Sequence, residues 1–178
     1  DIEKSKYYLL RCFFYLDEQT QFFKLLDDFI SRGVSNPIIG SLVCRSVLKY
    51  GVERPNLFCS DPLKYVSKID LNAEYDFEDI FVKTAKTVLD EDRVPEKRQG
   101  LLTNGQQTYG NIFDLESELT KEIQKAIRSE LERYRLNFQD SEEGLIKNWP
   151  AGYNLYGWLI SMKSGGELQP HMHEYGWL

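Results

Sequence analysis

The chain has 178 residues, of which 42% are hydrophobic and 13% aromatic, and a formal net charge of −6. This length suits one ordinary domain or two small ones, and the acidic balance argues against nucleic acid as a partner because phosphate contacts need a basic face. No apolar run is long enough to span a bilayer, so no membrane partner is expected, and three widely spaced cysteines indicate reduced thiols and a cytoplasmic protein.

The first fifty residues predict a helical region. Apolar side chains recur every three or four positions, as in amphipathic helices; they are Leu9, Leu10, Phe13, Phe14, Phe22, Leu25, Leu26, Phe29 and Ile30. A polar break at Asp17–Thr20 separates two helices, Gly33 ends the second, and Asn36-Pro37 begins a third. Cys12 and Cys44 lie among apolar neighbours and are expected in the core. Three short antiparallel helices resemble tetratricopeptide-type repeats, and the alternative is a generic helical bundle.

A proline-containing linker leads into a second region that mixes helix and strand. The segment DFEDIFVKTAKTVLDED predicts a helix whose inward face consists of Phe77, Ile80, Phe81, Ala85 and Val88. The segment QGLLTNGQQTYGNIF predicts strand structure around a turn at Asn104-Gly105. A long helix near residues 114–136 should begin at a capping Asp114. Its apolar face should cover the sheet with Leu119, Ile123 and Ile127.

The last section of the chain changes to a hydrophobic period of two. The segment NLYGWLISMKSGGELQPHMHEYGWL predicts a strand, a turn at Ser164–Gly166 and a second strand. Alternation on the first strand would place Tyr156 and Trp158 on one face and Leu155 and Leu159 on the other. Helices followed by strands place the chain in the α+β class.

The two histidines of the chain, His171 and His173, are one residue apart near its end. On a strand, residues i and i+2 project to the same face, so the two imidazoles can converge on one metal ion. The alternative for such a pair is a surface or hydrogen-bonded position without a metal. Glu174 is another potential ligand, but strand alternation turns it to the opposite face.

A family resemblance rests on the segment GWLISMKSGGELQPHMHEYGWL. It resembles the core of the iron(II)/2-oxoglutarate-dependent oxygenases, in which a strand and a glycine-rich turn precede Pro-His-x-His and a Trp-Leu-Ser-Gly strand. The segments NLFCSDPLKYV and QGLLTNGQQTYGNIFD resemble the lead-in segment and the first strand pair of that family. The resemblance covers residues 56–178 and is most specific from Pro170 to Leu178. Family members often carry tetratricopeptide repeats in front, which suits the first fifty residues.

The resemblance implies a tetratricopeptide-like helical region at residues 1–52 and, at residues 53–178, the first part of a double-stranded β-helix, or jelly roll. It implies Fe(II) and 2-oxoglutarate as cofactors, with His171 and His173 as metal ligands. Most such enzymes have a carboxylate where His173 stands, so a three-histidine site is the corresponding expectation. Tyr156 and Trp158 are candidate cofactor-binding residues, and burial in the sheet core is the alternative for both.

The implied activity is that of a dioxygenase that hydroxylates an unidentified substrate, for which a protein or peptide is a candidate. The helical region is a candidate surface for a protein partner. The alternatives are a non-catalytic helical-repeat interaction scaffold and a zinc or nickel site without catalytic purpose. The family also needs a distal histidine and a basic residue for 2-oxoglutarate, which are expected beyond Leu178. The chain is therefore interpreted as truncated, and little turnover of 2-oxoglutarate is expected from it alone.

Overall fold

The structure is a computed structural model that describes residues 2–90, 96–97, 99–115, 118–171 and 173. Across these residues the chain is a mixture of helix and strand, with α-helices and a small antiparallel sheet. It forms two compact units. The helical unit contains the described residues of 1–66 and 138–150 together with His173, and the sheet unit contains those of 67–137 and 151–171. The predicted division into residues 1–52 and 53–178 stays a prediction.

The helical unit is built on three helices of similar length. They are α1 (Ile2–Tyr15), α2 (Gln19–Ser31) and α3 (Pro37–Tyr50). A short 3₁₀ helix at Pro62–Tyr65 follows them. The helices begin and end where the sequence predicts: Asn36 accepts a hydrogen bond from the Ile39 amide at 2.9 Å, and Gly33 has a φ of 72° just beyond α2.

One apolar core holds these three helices together. Its buried members are Leu10, Phe14, Phe22, Leu26, Phe29, Ile39, Leu42 and Val43. Burying each such side chain stabilises the fold by about 1.5–3 kcal/mol relative to leaving it exposed. Two predicted core residues are placed elsewhere, since Leu9 is 46% exposed and Cys12 is exposed. Both lie on the side of α1 that faces away from the core, because a helix of this length can bury only one stripe.

The sheet unit begins with short helical segments and continues into strands. A 3₁₀ helix at Leu71–Ala73 comes first, and a π-helical segment, Glu78–Lys83, then runs into α4 (Thr84–Asp90). The strands are β1 (Glu96–Lys97), β2 (Leu102–Thr108) and, later in the chain, β3 (Ile160–Leu168). They form one antiparallel sheet in the order β1-β2-β3.

A bulge interrupts the pairing of β2 with β3. Thr103 pairs with Glu167 and Gly105 pairs with Met162, so one residue of β2 faces four residues of β3. Asn104 and Gly165 both have positive φ angles, of 48° and 74°. The predicted turns at Asn104-Gly105 and Ser164–Gly166 are therefore wrong. Both segments stay within their strands, because left-handed residues serve a bulge as well as a turn.

The longest helix is α5 (Glu118–Asn137), and it is followed in the helical unit by the short α6 (Gly144–Lys147). Asp114 is not the cap of α5, because it ends a separate 3₁₀ helix, Ile112–Asp114. The main partners of α5 are that 3₁₀ helix and the π-helical segment rather than the sheet. Ile123 is buried there, whereas the side chain of Leu119 lies outside the described residues. Among the residues that the structure describes, no helix combines the length and apolar character needed to cross a bilayer.

Candidate functional site

The first part of the candidate site is the chain that leaves β3. Pairing with the β2 side continues past the end of the strand, since the Gln169 amide donates to the Leu101 carbonyl at 2.9 Å. His171 follows two residues later and is exposed. Its position is thus set by a hydrogen-bonded backbone that stops just before it.

The imidazole of His171 is oriented by a backbone contact. Its Nδ1 lies 2.9 Å from the carbonyl oxygen of Gln169. A carbonyl oxygen can only accept a hydrogen bond, so Nδ1 donates, and the neutral ring carries its lone pair on Nε2. This arrangement is usual for metal-ligating histidines, which donate through the second ring nitrogen to a carbonyl or carboxylate.

The second predicted ligand, His173, belongs to the helical unit. It is exposed and lines a small cavity of about 30 Å³ together with Arg11, Ser41 and Arg45. Two guanidinium groups in the same cavity create a positive potential that disfavours a metal cation. Within the described part of the chain, no group of three or more His, Cys, Asp or Glu side chains is arranged to hold a metal ion. A common metal site of His171 and His173 stays a prediction.

Tyr156 and Trp158 lie in an irregular segment that precedes β3. Asn111 holds this segment, since its side-chain oxygen accepts from the Gly157 amide at 2.9 Å and its side-chain nitrogen donates to the Leu155 carbonyl at 3.1 Å. These contacts make Asn111 a substitute for a strand partner. They fix the backbone between the two aromatic residues.

Both aromatic residues line an open groove in the sheet unit, with a volume of about 600 Å³. Its walls include the aromatic side chains Phe77, Phe81, Phe113, Tyr156 and Trp158 and the aliphatic side chains Ile123 and Ile127. Neither Tyr156 nor Trp158 is buried in a sheet core, which was the alternative expected for them; Tyr156 is 66% exposed.

The geometry of the groove depends on ring pairs and one glycine. The Phe77 and Phe81 rings stack with centroids 5.1 Å apart, and those of Tyr156 and Trp158 meet edge to face at 6.0 Å. A Cβ on Gly157 would lie 2.7 Å from a ring carbon of Phe113. Only a glycine therefore lets the backbone approach that ring.

Sequence reasoning predicted several of these groove residues as core. Phe77, Phe81 and Ala85 recur at helical spacing, and that spacing indicates an apolar face without showing what covers it. In the structure, Val88 on the same helical stretch is buried, while those three residues line the groove. Only the structure shows that these aromatic rings are partly exposed, which is the signal that marks them as groove residues and not as core.

A second cluster of polar side chains in the sheet unit is joined by hydrogen bonds and ion pairs among its own members. The Tyr75 hydroxyl donates to the Glu130 carboxylate at 2.7 Å, and Arg133 contacts both Glu130, at 3.3 Å, and Glu74, at 2.6 Å. The hydrogen bond to the Glu130 carboxylate raises the pKa of Tyr75, because ionisation would place two negative charges together. Glu130 Oε1 accepts from Tyr75, while the buried Glu130 Oε2 has no hydrogen-bond partner among the described residues and contacts only the Arg133 charge.

The three cysteines are free thiols in different surroundings. Cys12 is exposed, Cys44 is half-buried and Cys59 is buried. The Asn56 side chain lies 3.3 Å from the Cys44 sulfur. Burial raises the pKa of the Cys59 thiol, and the nearby Glu143 carboxylate adds to that shift. A buried thiol with a raised pKa is a poor nucleophile, so Cys59 has a packing role.

Comparison with known proteins identifies no significant relative of this chain. No protein-family model matches the sequence, and no curated protein and no solved structure is significantly similar to it. The functional interpretation therefore depends on the residues of this chain.

Proposed function

We propose that the chain belongs to an iron(II)- and 2-oxoglutarate-dependent dioxygenase that hydroxylates an organic substrate. The observation that carries the proposal is the hydrogen bond from His171 Nδ1 to the Gln169 carbonyl. In this proposal β2 and β3 belong to the first part of a jelly roll, and α1 to α3 form a tetratricopeptide-like repeat. The free thiols of Cys12, Cys44 and Cys59 support a cytoplasmic location.

One donor just beyond the end of β3, the His171 imidazole, suits Fe(II). Neutral imidazole binds borderline cations such as Fe(II), and His171 has its Nε2 lone pair directed away from the bond that holds the ring. His171 is therefore proposed as the first ligand and His173 as the second. The positive potential of its cavity makes His173 the weaker of the two.

When bound together, iron and 2-oxoglutarate supply the oxidising chemistry: dioxygen hydroxylates the substrate, and 2-oxoglutarate is converted to succinate and carbon dioxide. The residues of this chain contribute binding and orientation. The bonded backbone up to Gln169 holds His171 in place. The assignment of Tyr156 and Trp158 to the cofactor stays a prediction, and the apolar lining of their groove suits an organic substrate better than a dicarboxylate.

Calorimetric titration of the chain with Fe(II) under anaerobic conditions, with and without 2-oxoglutarate, tests the proposal. We expect Fe(II) binding by the parent chain and loss of that binding in His171→Ala, while the 2-oxoglutarate series reports whether the acid adds to it. Gln169→Ala is the matched control, because it keeps the backbone carbonyl that accepts from Nδ1 and should bind metal like the parent. A parent chain that does not bind Fe(II), or Fe(II) binding that survives in His171→Ala, would refute the oxygenase proposal.

A second candidate function is a non-catalytic interaction scaffold, and one face of the helical unit favours it. Ile2, Leu9 and Leu16 recur at seven-residue intervals along α1 and just beyond it, and they are 79%, 46% and 72% exposed. Residues at this spacing share a helix face, and an exposed apolar stripe is typical of a protein-binding surface. The same titration separates the two functions, because a scaffold binds neither iron nor 2-oxoglutarate.

A further inference from the structure

The groove in the sheet unit has the dimensions and surface of a small-molecule site. Its volume of about 600 Å³ falls in the usual range for ligand pockets, about 300–1,000 Å³. Phe77, Phe81 and Trp158 are only partly covered by the protein. Accessible aromatic rings that line one groove favour a flat ligand, since a ligand ring can stack on one of them and meet another edge to face.

The described lining of the groove includes one charged side chain. Lys86 is the only charged side chain among the described residues that line it, and it is 67% exposed. Its neighbour Glu78 is 3.8 Å away and 64% exposed. An ion pair that is this long and this exposed to solvent is weak. The anionic group of a ligand can therefore replace Glu78 as the partner of Lys86. The Tyr156 hydroxyl at the same groove is a further donor.

We propose that this groove binds a flat, apolar molecule that carries one negative charge, such as an aromatic carboxylate or sulfonate. The rings hold the apolar body, and Lys86 pairs with the charged end. A dicarboxylate as small and polar as 2-oxoglutarate does not match this surface. The inference is independent of the proposed function, because binding here needs neither a metal nor 2-oxoglutarate.

Two fluorescent probes that differ by one charge provide the test. 1-Anilinonaphthalene-8-sulfonate is anionic, and N-phenyl-1-naphthylamine is the same ring system without the sulfonate. We expect saturable binding of both at one site, with the anion bound about two- to fivefold more tightly, as one exposed charge pair allows. Lys86→Gln should remove this preference. Lys83→Gln is the matched control, because Lys83 is equally solvated, at 64% exposure, but does not line the groove.

A second arm tests the location of the site. Ala85 lines the groove, so Ala85→Trp should fill it and weaken both probes, while circular dichroism reports whether the variant is folded. If that variant does not fold, energy transfer from tryptophan to bound probe replaces it, and Trp158→Phe should reduce the transfer because Trp158 lines the groove. Equal affinity for the two probes in the parent chain, or unchanged binding and transfer in these variants, would overturn the proposal.

Discussion

Replacing Gly144 with alanine should destabilise the helical unit. A Cβ at this position would lie 2.5 Å from the Leu57 carbonyl oxygen and would overlap the Ser35 hydroxyl. The hydroxyl can rotate away, but the carbonyl is backbone, and the adjacent bond from the Leu145 amide to the Phe58 carbonyl, at 2.7 Å, holds the two segments together. Overpacking of this kind costs about 1–3 kcal/mol, and a rigid backbone obstacle places Gly144→Ala near the upper end.

Alanine also restricts the unfolded chain, which stabilises by about 0.4–1 kcal/mol where the backbone conformation is compatible. The net loss should therefore be about 2 kcal/mol, or about 1 M in the urea midpoint for a slope of about 2 kcal/mol/M. Urea unfolding followed by tryptophan fluorescence measures it, and Trp149, two residues beyond α6, is one of the three tryptophans that contribute. Gly152→Ala is the control, because a Cβ there meets nothing within 4 Å. Equal midpoints for the two variants would refute the steric argument.

Three further predictions concern the core, the thiols and one titration. Phe22→Ala should lower the free energy of unfolding by about 3–5 kcal/mol, because the ring is fully buried; a thermal midpoint close to that of the parent would contradict this. Cys12 should react with a chromogenic disulfide reagent in the folded protein, whereas Cys59 should react only on unfolding, since it is buried and its pKa is raised; equal rates would show the burial to be wrong. The hydrogen bond to Glu130 raises the pKa of Tyr75. The stability that this bond contributes is therefore complete below the unfolded pKa of about 10 and disappears as the pH rises through the folded pKa. Ultraviolet titration should show a lower Tyr75 pKa in Glu130→Gln than in the parent.

The sequence allowed the helices to be predicted well because their signals are local. Apolar spacing in α1 to α3, the Asn36-Pro37 start and the positive φ of Gly33 each depend on a few neighbouring residues. The bulge could not be predicted in this way. Asn104-Gly105 and Ser164–Gly166 have the composition of turns, and only the pairing of β2 with β3 distinguishes a bulge from a turn.

The candidate site was predictable to a smaller extent. The spacing of the histidines suggested a metal ligand, but the hydrogen bond that orients His171 involves the carbonyl of Gln169, and no residue type signals a carbonyl contact. The groove was missed because its walls come from four separate stretches of the chain, around Phe81, Phe113, Ile123 and Trp158. Each stretch reads as ordinary core, and only the fold shows that the four meet at one groove that the described residues leave open.

The bulge between β2 and β3 also determines which side of the sheet each later residue occupies. Across it, β3 contains three more residues than β2, and an odd difference inverts the alternation of side chains between the two faces. Met162 and Glu167 consequently project to the same side although five positions separate them. The bulge absorbs this odd difference, and the pairing of Thr103 with Glu167 fixes the side on which Glu167 and Leu168 lie. Residues between Lys163 and Gly166 can therefore be added or removed without moving Glu167 or Leu168 to the other face, provided that this pairing is kept.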